Sequence, residues 1–211
     1  MKPLLAENSK KIKQKTEYKS VTICVPTLKR ESLISTLNSL YRQDYSKIVI
    51  VPGTHPSKQR NSVIKQCNTE FIAFIDDDCV AHPDFVKYGV KPFYGQPYPD
   101  FIQGCVQGGI QTSEDFTFVS ANLWIRTEVA KKLLFNEEIP GHEDVDFCWR
   151  ALDEGYKYIY NPECIVYHIG KPKQNEWNTF SITDIDYFKT RHKERLEKLV
   201  KEGKHILSKV V

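Results

Sequence analysis

The sequence lacks any apolar run long enough to cross a membrane. Its 211 residues are 40% hydrophobic, but no stretch approaches the roughly 20 apolar residues of a transmembrane helix. The first residues also lack the apolar core of a secretory signal peptide. These absences predict a cytoplasmic protein and leave the inner face of the membrane open as its working surface.

Cysteine pairs are absent as well. The six cysteines are scattered singly along the chain, with no CxxC pair and no Cys/His cluster at the spacing of a zinc site. This distribution argues against a zinc-stapled module and predicts reduced cysteines in a hydrophobic core. A disulfide bond of the kind found in some thermophile proteins is the alternative.

The net charge of +3 is unevenly distributed. Residues 1–20 carry a net charge of +4 and residues 184–211 carry +3, which leaves −4 on residues 21–183. Basic ends on an acidic body favour solvated tails, and the alternative is peripheral contact of these termini with an anionic membrane face. The basic residues lack interleaved stacking aromatics, which argues against nucleic acid as a partner.

Strand-like apolar runs alternate with helical patterns in the first part of the chain. The predicted strands at residues 21–25, 48–51 and 71–75 are separated by segments of helical spacing. This order predicts an α/β domain with a mostly parallel central sheet flanked by helices. Further strands are predicted at residues 101–106, 116–119, 156–160 and 164–168, the last two separated by a turn at Asn161-Pro162.

We expect three segments along the chain. A basic N-terminal arm covers residues 1–20, the α/β domain covers residues 21–180, and an amphipathic basic helix covers residues 181–211. The apolar residues of the last segment follow helical spacing on one face. That face either packs on the domain or lies on a membrane.

The third predicted strand ends in three consecutive carboxylates, Asp76, Asp77 and Asp78. Clustered negative charge after a buried strand is costly unless something positive sits there. Side chains at i and i+2 of an extended segment point the same way, so Asp76 and Asp78 are placed to share one Mg²⁺ or Mn²⁺. The alternative is a solvated acidic turn that caps the next helix.

A second acidic stretch, GHEDVDFCWRAL, occupies residues 141–152. Its helical pattern places Glu143 and Asp144 at a helix N-terminus, where negative charge is favourable. Asp146 and Arg150 are four residues apart and predict an ordinary ion pair along this helix. We expect Trp149 in the core.

Three motifs carry a resemblance to a known family. The segments VTICVPTLKR, FIDDDC and GHEDVDFCWRALDEGYKYIYNPECIVYH resemble the successive signatures of the family 2 glycosyltransferases, in particular their rhamnosyltransferase and galactofuranosyltransferase branch. The resemblance spans residues 21–170. It implies a GT-A, Rossmann-like fold and a metal-dependent, inverting transfer of a hexose-type sugar. The donor would be a nucleotide-diphosphate sugar, and the acceptor a hydroxyl group of a glycan, a lipid-linked molecule or a protein.

The resemblance also implies roles for residues of this chain. Asp144 is the implied catalytic base, with Glu143 as its partner, and the implied cofactor is Mn²⁺ or Mg²⁺. The implied metal ligands are Asp76, Asp78 and His168. The implied nucleotide-binding residues are Pro26, Thr27, Arg30, Arg60 and Asp77.

One departure from the family pattern concerns the loop after the second strand. Relatives carry Asp-Asp-Gly-Ser there, whereas residues 51–55 of this chain are VPGTH. The change leaves the base of the donor nucleotide open and does not touch the catalytic motifs. The turn Ser120-Ala121-Asn122 resembles the family's small-residue turn on the acceptor side, and we expect it to line the acceptor pocket.

Two other functions fit the same residues. Three carboxylates and a divalent ion also suit nucleotidyl transfer, although the chain lacks a glycine-rich phosphate loop in its first turn. The other is a nucleotide- and metal-binding scaffold of this fold without turnover, which the altered residues 51–55 support. Retention of both acidic motifs favours the transferase.

Overall fold

A computed structural model of the protein describes residues 21–43, 46–108, 118–139, 141–170 and 182–202. The predicted N-terminal arm lies outside the described residues. The strands are Val21–Thr27 (β1), Ser46–Pro52 (β2), Phe71–Phe74 (β3), Cys79–Ala81 (β4), Phe101–Gln107 (β5), Leu123–Arg126 (β6) and Tyr158–His168 (β7). The α-helices are Leu33–Leu40 (α1), Pro56–Gln66 (α2), Phe85–Val90 (α3), Thr127–Leu133 (α4), Glu143–Asp153 (α5), Ile182–Arg191 (α6) and Lys193–Glu202 (α7).

The described strands form one seven-stranded sheet in the order β2-β1-β3-β6-β5-β7-β4. Strand β1 pairs in parallel with β2 and β3, and β5 pairs in parallel with β7. Strand β6 runs antiparallel to both of its neighbours, and β4 runs antiparallel to β7. The α/β prediction is confirmed, with a mixed sheet whose parallel strands β1, β3, β5 and β7 end at one edge.

Helices cover both faces of the sheet, which explains why β3 reads as an unbroken apolar run. Ile72 and Phe74 belong to the core cluster that includes residues of α2, α4, α5, α6 and α7. Phe71 and Ala73 point into the second cluster, which includes residues of α1 and α3. All four side chains are fully buried. The strand that carries the acidic turn is therefore anchored from both sides.

The structure corrects the prediction for residues 156–168. No turn separates two strands there, and β7 continues through Asn161 and Pro162 as a single strand beside β5. The partner of Gly104 is Asn161 and that of Cys105 is Ile165, so the intervening residues bulge out of the ladder. Proline has no N–H to donate to a ladder, and a bulge accommodates it. This irregularity carries the chain on toward His168.

The strand predicted at residues 116–119 is also corrected where the structure describes it. Phe118 and Val119 are buried but lie outside any strand. A short 3-10 helix follows at Ser120–Asn122, and the strand itself is β6, which starts at Leu123. Residues 116 and 117 lie outside the described part of the chain.

Helices α6 and α7 pack on the domain over the residues that the structure describes. Phe188, His192 and Leu196 are 1%, 3% and 5% exposed. The ring of Phe188 meets that of Trp149 edge-on at 5.5 Å between centroids, and the predicted core position of Trp149 is confirmed. The C-terminal segment was expected either to pack on the domain or to lie on a membrane, and residues 182–202 pack on the domain. Within the described ranges, none of the helices combines the length and hydrophobicity of a membrane span.

A buried polar network joins these helices to α5. The predicted pair of Asp146 and Arg150 forms, with 2.8 Å between Oδ2 and Nε. Asp146 also accepts a hydrogen bond of 2.7 Å from the Tyr187 hydroxyl and lies 3.0 Å from Nε2 of His192. Burial alone would raise the pKa of Asp146, but the bond to His192 and the charge of Arg150 hold it below its usual value.

We expect Asp146→Ala to lower the free energy of unfolding by about 3 to 5 kcal/mol, because it leaves buried charge and hydrogen-bonding groups without their partner. Urea unfolding followed by circular dichroism measures this change. The control is Asp186→Ala, an exposed position on α6, for which we expect a change within about 0.5 kcal/mol. A loss for Asp146→Ala no larger than that of the control would mean that α6 and α7 are held without this network.

Candidate active site

The carboxyl edge of the sheet gathers most of the residues predicted for the site. Strands β1, β3 and β7 end there, which brings together the loop after Thr27, the acidic turn after Phe74 and His168. The start of β6 lies at the same edge because Leu123 pairs with Phe74. Open α/β sheets bind their ligands at this edge.

Asp77 is a buried link between the acidic turn and the loop after β1. It is 4% exposed, and its Oδ2 accepts hydrogen bonds from the Thr27 hydroxyl at 2.6 Å and from the Leu28 backbone N–H at 3.0 Å. Its Oδ1 lies 3.3 Å from Nη1 of Arg30. The predicted nucleotide residues Thr27 and Arg30 thus both contact the third, Asp77, while Pro26 is buried within β1.

Asp78 lies between Arg30 and His168. Its Oδ2 accepts a hydrogen bond of 2.8 Å from Nη1 of Arg30, and its Oδ1 lies 3.6 Å from Nε2 of His168. The imidazole reaches this position because Cys79, the next residue after Asp78, pairs with His168 across β4 and β7. A Cβ atom on Gly170 would lie 2.6 Å from Oδ2 of Asp78 and 2.9 Å from Cε1 of His168. Glycine at this position keeps the space beside both groups open.

Two of the three predicted metal ligands lie together. Asp78 and His168 converge, whereas Oδ1 of Asp76 lies 3.5 Å from Nη2 of Arg60. Over the ranges that the structure describes, no three His, Cys, Asp or Glu side chains are grouped closely enough to hold a metal ion. A carboxylate oxygen and an imidazole nitrogen suit Mn²⁺, and Nδ1 of His168 is buried without a hydrogen-bond partner. The donors fit a divalent ion that takes its remaining ligands from phosphate oxygens and water.

Arg60 lies beneath the site rather than at its surface. Its side chain is 4% exposed, and its guanidinium stacks over the ring of Phe135 at 5.4 Å. Nη1 donates a hydrogen bond to Oε1 of Glu143, and Nη2 donates one of 2.6 Å to the Ser120 hydroxyl. Asp76 is its third partner. Arg60, predicted to bind the donor nucleotide, therefore connects the acidic turn to the start of α5.

Asp144 is a partly buried carboxylate at the start of α5. Its Oδ2 accepts a hydrogen bond of 2.9 Å from the Ser120 backbone N–H, and its Oδ1 accepts one of 2.9 Å from the Val145 backbone N–H. Burial and the negative charge of Glu143 raise the pKa of Asp144 to about 7, against the opposing effects of Arg60 and the two N–H groups. A carboxylate that titrates near neutral pH is suited to general base catalysis.

The turn Ser120-Ala121-Asn122, predicted to line an acceptor pocket, contacts both Arg60 and Asp144. Ser120 is 3% exposed, and it holds Arg60 with its hydroxyl and Asp144 with its backbone N–H. Asn122 is fully buried and donates hydrogen bonds to backbone carbonyls of β5 and β7. The sequence analysis did not single out Gly170, although its place two residues after His168 was visible.

The sheet and the polar groups along its carboxyl edge define an α/β protein of the GT-A type. Residues 52–155 match the family model described as glycosyl transferase family 2. The matched segment runs from the end of β2 to just beyond α5. It contains the acidic turn, Arg60, and the pair Glu143 and Asp144.

The chain is also similar to proteins of known sequence and structure. The chain is 24% identical over 148 residues to the pre-mycofactocin glycosyltransferase of Mycobacterium tuberculosis, covering 58% of this chain and 32% of that protein. It thus spans about a third of the length of the curated relatives it matches. The mannosyltransferase PcManGT of Pyrobaculum calidifontis, in complex with GDP-Man and Mn²⁺, has a TM-score of 0.64 at 18% identity over 90% of this chain and 66% of that chain. S. aureus TarS in complex with UDP-GlcNAc has a TM-score of 0.66 at 16% identity over 81% of this chain and 65% of that chain. At these identities the likeness shows the fold.

Proposed function

We propose that the protein is an inverting glycosyltransferase of the hexosyl type that uses a nucleotide-diphosphate sugar, with Asp144 as its base. The observation that carries the proposal is the Asp144 carboxylate, whose pKa lies near neutrality and whose oxygens are fixed by Ser120 and Val145. It belongs to the same cluster of side chains as the acidic turn, through Arg60. A base and a donor site in one cluster are what direct displacement of a diphosphate requires.

The proposed reaction moves one proton and one sugar. Asp144 takes the proton of the acceptor hydroxyl while the hydroxyl oxygen bonds to the anomeric carbon, and the bond from that carbon to the diphosphate oxygen breaks. The electron pair of the broken bond leaves with the diphosphate, and the anomeric configuration inverts. A divalent ion held by Asp78 and His168 would stabilise negative charge on the leaving phosphates. Glu143 and Arg60 keep the base in place.

The donor and the acceptor are proposed as classes of molecule. Structural neighbours hold UDP-GlcNAc and GDP-Man, and the altered loop at residues 51–55 leaves the nucleotide base of this chain open. We propose that the enzyme belongs to the rhamnosyltransferase or galactofuranosyltransferase branch. Its acceptor would be a glycan, a lipid-linked molecule or a protein, and it would act in the cytoplasm at the inner membrane face. We propose residues 21–180 as the limits of the transferase domain.

We expect one nucleotide, together with Mn²⁺, to raise the melting temperature by about 5 to 10 °C when its concentration is roughly a hundred times its Kd. The reason is that a ligand that binds the folded state stabilises that state. Thermal-shift titrations with UDP, GDP, dTDP and CMP, each with and without Mn²⁺, measure the effect. Asp78→Asn should abolish the dependence on metal. Asp84→Asn, which removes a half-exposed carboxylate six residues away, should leave it unchanged.

The titration tests the donor site, and a transfer assay distinguishes the transferase from a scaffold without turnover. Stabilisation by one nucleotide only with metal supports the transferase and identifies the nucleotide of its donor. Absence of a shift with every nucleotide would overturn the donor site, and with it both the transferase and a nucleotide-binding scaffold. Transfer to an acceptor, followed by NMR of the anomeric proton, then tests inversion, and a product with retained configuration would remove Asp144 from the role of base.

A further inference from the structure

Arg30 already supplies positive charge to the acidic turn. Its Nη1 lies 2.8 Å from Oδ2 of Asp78 and 3.3 Å from Oδ1 of Asp77. It is placed by the loop after β1, in which Lys29 adopts a left-handed conformation with a φ of 62° and donates its backbone N–H to the Thr27 hydroxyl at 2.7 Å. This short loop brings a guanidinium directly onto the carboxylates that end the next strand of the sheet.

The two carboxylates depend on Arg30 to different degrees. Asp77 also receives hydrogen bonds from the Thr27 hydroxyl and the Leu28 backbone, so it keeps partners if Arg30 leaves. Among the contacts described for the Asp78 side chain, the shortest is the hydrogen bond of 2.8 Å from Arg30, whereas Nε2 of His168 lies 3.6 Å away. Arg30 therefore occupies an oxygen of the same carboxylate that a metal ion would use.

We infer that Arg30 is an exchangeable counter-ion of Asp78, which a divalent cation must displace when it binds between Asp78 and His168. The inference rests on the proposed function and adds a regulatory step to that site. Two cations held by one carboxylate repel each other, so a metal ion bound at Oδ1 of Asp78 weakens the bond from Arg30 to Oδ2. The freed guanidinium offers paired donors of the kind that bind diphosphate.

The surroundings of Arg30 allow this exchange. Its side chain is 37% exposed, whereas that of Arg60, the other arginine on the acidic turn, is 4% exposed and bonded to Glu143 and Ser120. A long, partly solvated side chain can leave one partner at small cost, and a buried one cannot. The two arginines therefore differ in role, with Arg60 fixed and Arg30 movable.

We expect Arg30→Met to bind Mn²⁺ about tenfold more tightly than the unsubstituted protein in the absence of nucleotide, the effect of removing one charge-assisted competitor. Electron paramagnetic resonance of free Mn²⁺ during a titration measures the affinity without any need for activity. The matched control is Lys29→Met, which removes the same charge one residue away, on an exposed side chain. Its Mn²⁺ affinity should change by less than about twofold.

The variants distinguish failure of the inference from failure of the proposed site. Loss of Mn²⁺ binding in Asp78→Asn together with unchanged affinity in Arg30→Met would keep the metal site and overturn the counter-ion role. Mn²⁺ binding that is insensitive to Asp78→Asn would overturn the metal site itself. An equal increase in Mn²⁺ affinity in Arg30→Met and Lys29→Met would show that only the net charge of the loop matters. That result would also overturn the inference. Circular dichroism checks that each variant is folded.

Discussion

Asp144→Asn is expected to lower the rate of sugar transfer by about 10²- to 10⁴-fold, the usual contribution of a positioned general base. The amide has nearly the shape of the carboxylate, but it cannot take the proton of the acceptor hydroxyl. Oδ1 can still accept the Val145 N–H bond of 2.9 Å. Nucleotide affinity in the presence of Mn²⁺ should stay within about twofold, because Asp144 contacts Ser120 and Val145 rather than the acidic turn.

The measurement compares single-turnover rates with nucleotide affinity for the same preparations. Asp153→Asn serves as the matched control, since it makes the same substitution in the last residue of α5, where the side chain is 47% exposed. We expect its transfer rate to be unchanged. Full activity of Asp144→Asn would exclude the base assignment, and a parallel loss of nucleotide affinity would move Asp144 to the donor site.

The pH dependence gives a second readout of the same assignment. A base works in its deprotonated form, and the pKa of Asp144 is raised to about 7. The transfer rate should therefore fall about tenfold per pH unit below pH 7 and level off above it. Glu143→Gln removes the neighbouring charge that helps to raise this pKa. The acidic limb of the pH-rate profile, where the rate falls with decreasing pH, should therefore move to lower pH. A rate that is flat from pH 5 to pH 8 would contradict the assignment.

The fold was predictable where the pattern of the sequence is local. The alternation of apolar runs and helical spacing located β1, β2 and β3 and the helices between them, because each of these elements carries its own period. The sequence did not reveal that β6 inserts antiparallel between β3 and β5, since strand order depends on contacts between distant segments. The bulge in β7 was interpreted as a turn because Asn-Pro favours both.

The members of the site were more predictable than their contacts. The sequence indicated Asp78 and His168 together only through a family resemblance, whereas the pairing of Cys79 with His168 gives the physical reason for their approach. The burial of Arg60 could not be inferred from its position in a polar helix of low hydrophobicity. The family resemblance implied that Arg60 binds the donor nucleotide, and only the packing against Phe135 reveals a buried cation.

Arg60→Met should destabilise the folded protein about as strongly as Asp146→Ala. The guanidinium forms ion pairs with both Glu143 and Asp76, while its own side chain is almost fully buried. Removal of one partner from a buried ionic network typically lowers the free energy of unfolding by about 3 to 5 kcal/mol. Urea unfolding measures the loss. Arg42→Met, at an exposed turn position, should change stability by less than about 0.5 kcal/mol.

The same substitution tests what Arg60 does for the reaction. Its positive charge lowers the pKa of Asp144, against the larger effect of burial and the charge of Glu143. Without that charge the pKa rises, and the acidic limb of the pH-rate profile moves to higher pH. Arg60→Lys retains a charge but lacks the fork that holds Glu143 and Ser120 together, so its limb should move less. If Arg60 instead bound the donor diphosphate, its substitution would raise the Kd of the nucleotide and leave the acidic limb at the same pH. Measuring both quantities on one stable preparation of Arg60→Lys therefore separates a residue that positions the base from one that binds the donor.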